Sequence, residues 1–296
     1  MKTNYIVTVL HPFSTPYFRK FVLSVADQTV RDFRLLIFYD QVEDPEHSFT
    51  NDLQHIKHEF IELGNRSITA NRVFVLNYLA GLEEGYIHFG DSDDFFEPTR
   101  IASAISYLPQ YSIVCHDFNL VDREGKLLDK DHWSKRLANE FVFGYDYLKD
   151  KNLLGFGNIS IDSSIFKDIE IKLVESPAIP DWFIFNQIVS VTKARCIFIA
   201  TGQVNYRQHD NLAQFTENDF GAICNKLDMV LLHHESLLTL YIDAQYYRDR
   251  KTKLTRLKNH LTEKYLNEFL AQADAKNYFW WEIIADLLNY YESTTN

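Results

Sequence analysis

The alternation of short apolar runs with helical patterns in the first part of the chain is the feature that most constrains its fold. The runs YIVTVL (5–10), FRLLIFYD (33–40) and YIHFGD (86–91) are rich in β-branched and aromatic residues. Between them, residues 17–28 and a stretch around 68–83 read as helices, the first of them by its apolar spacing. This order predicts a parallel sheet covered by helices on both faces. Ligands of such sheets bind at the carboxyl ends of the strands.

Further elements continue the α/β pattern beyond the third strand. Residues 97–108 have the spacing of a helix with Pro98 in its first turn. Residues 111–129 read as a strand followed by a hairpin with DREG as its turn. The runs 196–200 and 204–208 are strand-like. We therefore predict an α/β sheet flanked by helices.

The clearest change of character comes near residue 215, after which the pattern is almost wholly helical. We predict an α/β domain over residues 1–215 and a helical carboxy-terminal extension over 216–296. The extension combines a basic stretch, KTKLTRLKNHL, with the neighbouring Trp280 and Trp281. These features predict core packing or a homodimer contact, or else a peripheral contact with a membrane surface. The extension's apolar stripe consists of Leu254, Leu257, Leu261, Tyr265 and Phe269.

Composition excludes several classes of function. The formal net charge of -11 argues against a nucleic-acid partner, because phosphate neutralisation needs a basic face. His11 and Pro12 break the first apolar run, so no secretory signal or membrane span is predicted there. The odd number of cysteines favours reduced thiols over a disulfide framework or a zinc site. The predicted compartment is the cytoplasm. The cysteines are Cys115, Cys196 and Cys224.

The segment GDSDDFFEP places Asp91, Asp93 and Asp94 within four positions, directly after the third strand. Carboxylates this close need exposed backbone N–H groups at a helix start, a bound cation, or water. An EF-hand would require Gly and Glu where Phe96 and Ala102 stand. A D-x-D pair also suits Mg²⁺ or Mn²⁺, which prefer carboxylates and keep water and phosphate oxygens as further ligands.

Five motifs in the right order resemble glycosyltransferase family 2, whose members have the GT-A fold. Over residues 4–215, the chain carries QT before the second strand, an acid after that strand, and the D-x-D run followed by Pro. It also carries the hairpin FNLVDREGKLL and the pair PDWFIFNQI and VNYRQHDN. The last pair is similar to a bacterial branch that includes rhamnosyltransferases. The resemblance implies the GT-A fold and an inverting, metal-dependent transfer from a UDP- or dTDP-linked sugar.

The resemblance also implies roles for individual residues. Asp93 would bind Mg²⁺ or Mn²⁺, Asp91 would contact the metal or the ribose, and His209 would complete the metal site or serve the structure. Asp94 is predicted to be a helix cap. Asp181 would be the general base that accepts the proton of the acceptor hydroxyl. A helix cap is the alternative for Asp181.

Besides Asp91, five residues are predicted to hold the nucleotide. Asp40 resembles the acid that reads the edge of the nucleobase, and Pro12 and Phe13 would contact the base. Arg72 would contact phosphate or base, with a surface salt bridge as its alternative. Arg207 would bind diphosphate oxygens or form an ion pair under the sheet.

Three positions depart from the family's motifs. Pro180 stands in place of Glu, Asn71 and Arg72 exchange the order of a polar pair, and Asp210 replaces Gly. The expected partners are a nucleotide-sugar donor and a glycan or lipid-linked glycan acceptor, as in bacterial surface polysaccharide synthesis. Two alternatives stay open. One is a sugar nucleotidyltransferase, and the other is a non-catalytic protein that binds sugar nucleotides or glycans.

Overall fold

The structure is a computed structural model in which residues 2–172, 174, 179–208, 218–273 and 281–295 are described. The chain forms two compact units, and the domain boundary predicted near residue 215 lies outside the described residues. The first unit consists of Met1–Gly144, Leu154–Glu170 and Val191–Leu212. The second unit consists of Tyr145–Leu153, Ile171–Ser190 and Ala213–Asn296.

One mixed sheet organises the first unit. Its strands are β1 (Thr3–Leu10), β2 (Arg34–Tyr39), β3 (His58–Glu62), β4 (Gly85–Phe89), β5 (Phe95–Phe96), β6 (Ile113–Val121), β7 (Leu127–Asp129), β8 (Phe141–Phe143), β9 (Ile159–Asp162) and β10 (Cys196–Arg207). The spatial order is β3-β2-β1-β4-β9-β6-β10-β5, with β7 on β6 and β8 on β10. Strands β3, β2, β1 and β4 run parallel, so their carboxyl ends meet at one edge. That edge carries the candidate site.

Helices flank this sheet, as the sequence predicts. In the first helix, α1 (Thr15–Ala26), the buried residues recur at positions 18, 21, 22 and 25, which is the predicted apolar stripe. Ser67 caps α3 by accepting from the backbone N–H of Ala70 at 3.3 Å, which fixes where that helix begins. The helices of this unit are α1 (Thr15–Ala26), α2 (Pro45–Leu53), α3 (Ile68–Ala80), α4 (Arg100–Tyr107) and a 3₁₀ helix over Ser163–Asp168.

One predicted helix boundary was wrong because of sheet pairing, and two predicted strand-like runs join in one strand. Helix α4 begins at Arg100, because the Glu97 N–H still donates to the Gln203 carbonyl at 3.0 Å and continues the sheet edge. The acidic residues before it therefore do not lie at a helix start. The two strand-like runs near the end of this unit form the single strand β10, which is irregular between Ile199 and Val204. Helix α2 and strand β3 were not predicted. The residues of β3 alternate without strong apolar character.

The second unit is helical. Three of its helices, α7 (Phe220–Thr239), α8 (Ala244–His260) and α10 (Glu282–Thr295), pack around one apolar core. The predicted stripe of Leu254 to Phe269 also faces that core. Among the described helices, none has the length and apolar character needed to cross a membrane. The helices are α5 (Tyr145–Leu148), most of α6 (Pro180–Thr192), α7 (Phe220–Thr239), α8 (Ala244–His260), α9 (Glu263–Gln272) and α10 (Glu282–Thr295).

Lysines of the basic stretch on α8 are paired within this unit. Lys251 contacts Glu235 of α7, and Lys253 contacts Glu292 of α10, each at 2.6 Å. Of the two tryptophans predicted beside this stretch, Trp281 is partly buried against the core, and Trp280 lies outside the described residues. These contacts favour the packing explanation of the basic stretch, because paired lysines attract an anionic surface less strongly.

Candidate active site

A cleft of about 470 Å³ opens at the carboxyl ends of β1 and β2, beside the loop that follows β4. The first turn of α3 forms its opposite wall. Residues predicted from widely separated motifs meet here, although Pro12 itself is not part of the lining. The predicted residues that line the cleft are Phe13, Asp40, Arg72, Asp91 and Asp93.

The acidic loop, residues 91–94, follows β4 as a turn in which the Asp94 N–H donates to the Asp91 carbonyl at 3.2 Å. Asp94 is buried, and its Oδ1 accepts from the backbone N–H of Arg207 at 2.8 Å. Burial, followed by the charges of Asp93 and Asp91, raises the pKa of Asp94 well above its usual value. Burial beside two further carboxylates therefore favours the protonated form of Asp94, while the Arg207 N–H opposes that shift. The helix-cap role predicted for it was wrong, because it supports the acidic loop instead.

The guanidinium of Arg207 holds the acidic loop from beneath. Its Nε donates to the Asp93 carbonyl at 2.7 Å, and its Nη1 donates to the carbonyls of Asp122, at 3.3 Å, and Arg123. The side chain also lies over the ring of Tyr17 at 4.6 Å. Arg207 is 2% exposed and is not part of the cleft lining. The described donors of this side chain bind backbone carbonyls, and the predicted contact of Arg207 with diphosphate oxygens stays a prediction.

Arg72 supplies a cation to the cleft itself. Its Nη2 lies 3.2 Å from Asp91 Oδ1, and its guanidinium stacks over the ring of Phe156 at 4.4 Å. The side chains of Arg72 and Asp91 are 18% and 31% exposed, which leaves the pair accessible to solvent. Arg72 lines the cleft and keeps some solvent contact, so an anionic ligand in the cleft can reach its guanidinium.

His11, which the sequence analysis did not assign to the site, forms the other end of the cleft. Its ring stacks on Phe13 with centroids 5.4 Å apart and planes 11° apart. Burial, and next the positive charge of Arg72, lowers the pKa of His11, while Asp40 and Asp93 oppose the shift. The imidazole is therefore neutral at pH 7. Its position directly before Pro12 at a strand end was the available signal.

Two buried polar groups stand close to this aromatic pair. The Asp40 carboxylate, 7% exposed, lies 3.8 Å from the His11 ring nitrogen Nδ1. Asn71 is 3% exposed and lines the cleft, and its Oδ1 accepts no hydrogen bond from the described residues. A flat apolar surface with buried acceptors beside it can bind a heterocycle that carries N–H groups.

The residues of the acidic loop also suit a divalent cation. Asp91 and Asp93 offer hard oxygen ligands in the cleft, and Mg²⁺ and Mn²⁺ take their remaining ligands from water and phosphate. A Cβ at Gly157 would lie 2.6 Å from Asp91 Oδ2, so the glycine leaves that carboxylate room. The described residues contain no group of three metal-ligating side chains, and His209 lies outside them.

Asp181, the predicted general base, belongs to the second unit. It is the second residue of α6 and is partly exposed. Its neighbour Trp182 is buried, donates from Nε1 to the Leu148 carbonyl at 2.8 Å, and stacks on His233 at 4.0 Å. These contacts fix the first turn of α6 and therefore the direction in which the side chain of Asp181 points from the helix.

Gly157→Ala is expected to weaken metal-dependent nucleotide binding at least about tenfold while changing thermal stability little. The added methyl would clash with the end of the Asp91 side chain, which can rotate away and thereby leave its position in the cleft, and would make an ordinary contact with Asp94 Oδ2 at 3.6 Å. Calorimetric titration with UDP and Mn²⁺, paired with a thermal melt, measures both quantities. Gly144→Ala is the control, because a Cβ there meets nothing within 4 Å. If Gly157→Ala and Gly144→Ala bound UDP with Mn²⁺ equally well, that result would contradict the close approach of Asp91 to position 157.

No known protein family matches the chain, and no curated protein matches it by sequence. Its fold is similar to solved structures. TarS of S. aureus matches with a TM-score of 0.57 and 13% identity over 86% of this chain and 42% of that one. TarS 1–349 in complex with UDP-GlcNAc matches with a TM-score of 0.55 and 14% identity over 99% of this chain and 91% of that one. GalNAc-T7 with UDP, GalNAc and Mn²⁺ matches with a TM-score of 0.59 and 10% identity over 100% of this chain and 58% of that one.

These neighbours are glycosyltransferases with GT-A-like folds, and the predicted fold class is confirmed. The chain has a GT-A-like α/β fold with a central sheet flanked by helices and further helices at its carboxy-terminal end. At 10–14% identity the likeness shows the fold alone. The chain spans less than half of the longer TarS structure.

Proposed function

We propose that the chain is an inverting, metal-dependent glycosyltransferase of family 2 that moves a sugar from a UDP- or dTDP-linked donor to a hydroxyl group. The observation that carries the proposal is the content of the cleft. A neutral aromatic pair, a buried carboxylate, an arginine and two further carboxylates line one space at the ligand-binding edge of a GT-A-like sheet. Solved neighbours of this fold bind UDP and UDP-GlcNAc.

Each group in the cleft has a role in this proposal. The nucleobase packs on Phe13 and His11, while Asp40 and Asn71 accept hydrogen bonds from the N–H groups on its edge. Asp91 and Asp93 would hold Mg²⁺ or Mn²⁺, which would supply Lewis-acid stabilisation of the leaving diphosphate. Arg72 turns from Asp91 toward the diphosphate and offsets part of its charge.

Asp181 acts as the general base in the proposed reaction. Its carboxylate accepts the proton of the acceptor hydroxyl as that oxygen attacks the anomeric carbon from the face opposite the diphosphate. Attack from the opposite face inverts the configuration. A glycan or lipid-linked glycan is the proposed acceptor, and bacterial surface polysaccharide is the proposed product. The proposed catalytic domain covers residues 1–215.

Asp93→Asn is expected to weaken UDP binding in the presence of Mn²⁺ by about 10- to 100-fold, because an amide is a weaker ligand for a hard cation. Calorimetric titrations of UDP and dTDP, each with Mn²⁺ and with EDTA, measure the effect. Asp146→Asn is the control, since its side chain is 94% exposed and lies in the second unit. Affinity that did not respond to Mn²⁺ in the wild type would contradict metal dependence. Binding without turnover of any donor would instead favour the non-catalytic alternative.

A further inference from the structure

A pair of buried hydroxyls joins two walls of the cleft. Ser92 Oγ lies 2.7 Å from the Val9 carbonyl oxygen and 2.7 Å from Ser14 Oγ. Ser14 Oγ in turn lies 3.0 Å from the His11 carbonyl oxygen and accepts from the His11 N–H at 3.1 Å. Ser92 is 2% exposed and Ser14 is 1% exposed. We call Ser92 and Ser14 the hydroxyl bridge.

The two ends of the hydroxyl bridge belong to segments with different tasks in the cleft. Ser92 stands between Asp91 and Asp93, so its position sets the position of the acidic loop. Ser14 closes the turn that presents His11 and Phe13. The two serines are 78 positions apart in the chain. The bridge therefore links the carboxylate end of the cleft to its aromatic end.

We propose that Ser92 is a positioning residue that sets the spacing between these two ends, so that one nucleoside diphosphate can engage both. The inference rests on the proposed function. Such a ligand places its heterocycle on the aromatic pair and its diphosphate at the acidic loop. A ligand with two contact points binds tightly only when the spacing of its two sites is already correct. Ligands that reach one end alone do not depend on that spacing.

This difference defines the experiment. Wild-type protein and Ser92→Ala are titrated with UDP in the presence of Mn²⁺, with uridine, and with Mn²⁺ alone. We expect the Kd of UDP to rise about tenfold in the variant, because its two contact points lose their fixed spacing. The Kd values of uridine and Mn²⁺ should stay within about twofold of the wild type. A residue that only stabilised the fold would change all three together or none.

Controls separate the possible failures. Ser160→Ala removes another fully buried hydroxyl, which lies 2.9 Å from His88 Nδ1, and should leave UDP affinity unchanged. Ser14→Ala breaks the other half of the bridge and should reproduce the effect of Ser92→Ala, which provides a second test if one variant folds poorly. Unchanged UDP affinity in both bridge variants, or equal weakening of all three ligands, would overturn the coupling. Wild-type protein that bound neither UDP nor dTDP with Mn²⁺ would overturn the proposed function itself.

Discussion

Asp181→Asn is expected to lower turnover about 10²- to 10⁴-fold, the usual contribution of a general base. This corresponds to about 3–5 kcal/mol of activation free energy. The amide keeps the size of the carboxylate but cannot accept the proton of the acceptor hydroxyl. The cleft residues proposed to bind the nucleotide belong to the other unit, so the Kd of UDP with Mn²⁺ should stay within about twofold of the wild type. Donor consumption in the presence of acceptor measures kcat.

Asp219→Asn is the matched control for this prediction. Asp219 also stands at a helix start, where it caps α7 by accepting from the Ala222 N–H at 2.8 Å. Asparagine caps a helix about as well as aspartate, so neither variant should lose much stability. Normal turnover in Asp181→Asn would show that Asp181 is only a cap. A rate loss of the same size in both variants would point to the helix starts and not to base catalysis.

Acidification from pH 7 to pH 5 is expected to destabilise the protein strongly, because three buried histidines stay neutral in the fold. Burial lowers the pKa of His88 and of His234 to about 3 and that of His233 well below its usual value. The unfolded chain binds these protons below about pH 6.5, whereas the folded protein does not. His88 and His234 then each remove about 2 kcal/mol of unfolding free energy by pH 5, and His233 acts in the same direction.

The sign of this effect follows from the lowered pKa values. The free energy of unfolding is highest above about pH 6.5 and falls as the pH drops toward the folded pKa. His233 and His234 both belong to the second unit, where Arg250 lowers and Asp150 raises the pKa of His234. The sheet unit carries His88, and the lowered pKa values of His11 and His132 act there in the same direction, so we expect both units to lose stability as the pH falls.

Urea titrations followed by circular dichroism at pH 7, 6 and 5 measure this dependence. His233→Phe keeps an aromatic ring against Trp182 and removes one proton-binding group, so its unfolding free energy should fall less between pH 7 and pH 5. His55→Gln replaces an exposed histidine and should follow the wild type. A wild-type stability that stayed constant or increased toward pH 5 would contradict the buried neutral state of these residues.

The helix-flanked sheet and several of its strands could be predicted because each depends on local patterns. Continuous apolar runs predicted β1, β2 and β4. Acids directly after two of these strands predicted that Asp40 and the acidic loop belong to the ligand-binding edge. His11 was missed because histidine before proline has no characteristic periodicity. Helix α2 and strand β3 were missed because their residues carry little apolar pattern.

The sequence alone determined that the chain forms a helix-flanked sheet and that carboxylates collect at one edge of it, since periodicity and strand ends are local properties. Only the tertiary structure decided the pKa values and the contacts of those carboxylates. Burial beside two other acids raises the pKa of Asp94, and Arg207, 113 positions away, holds the loop through backbone carbonyls. Ser92 meets Ser14 only in the folded chain. Burial and contacts between distant segments set protonation and spacing, and neither can be read from residues in order.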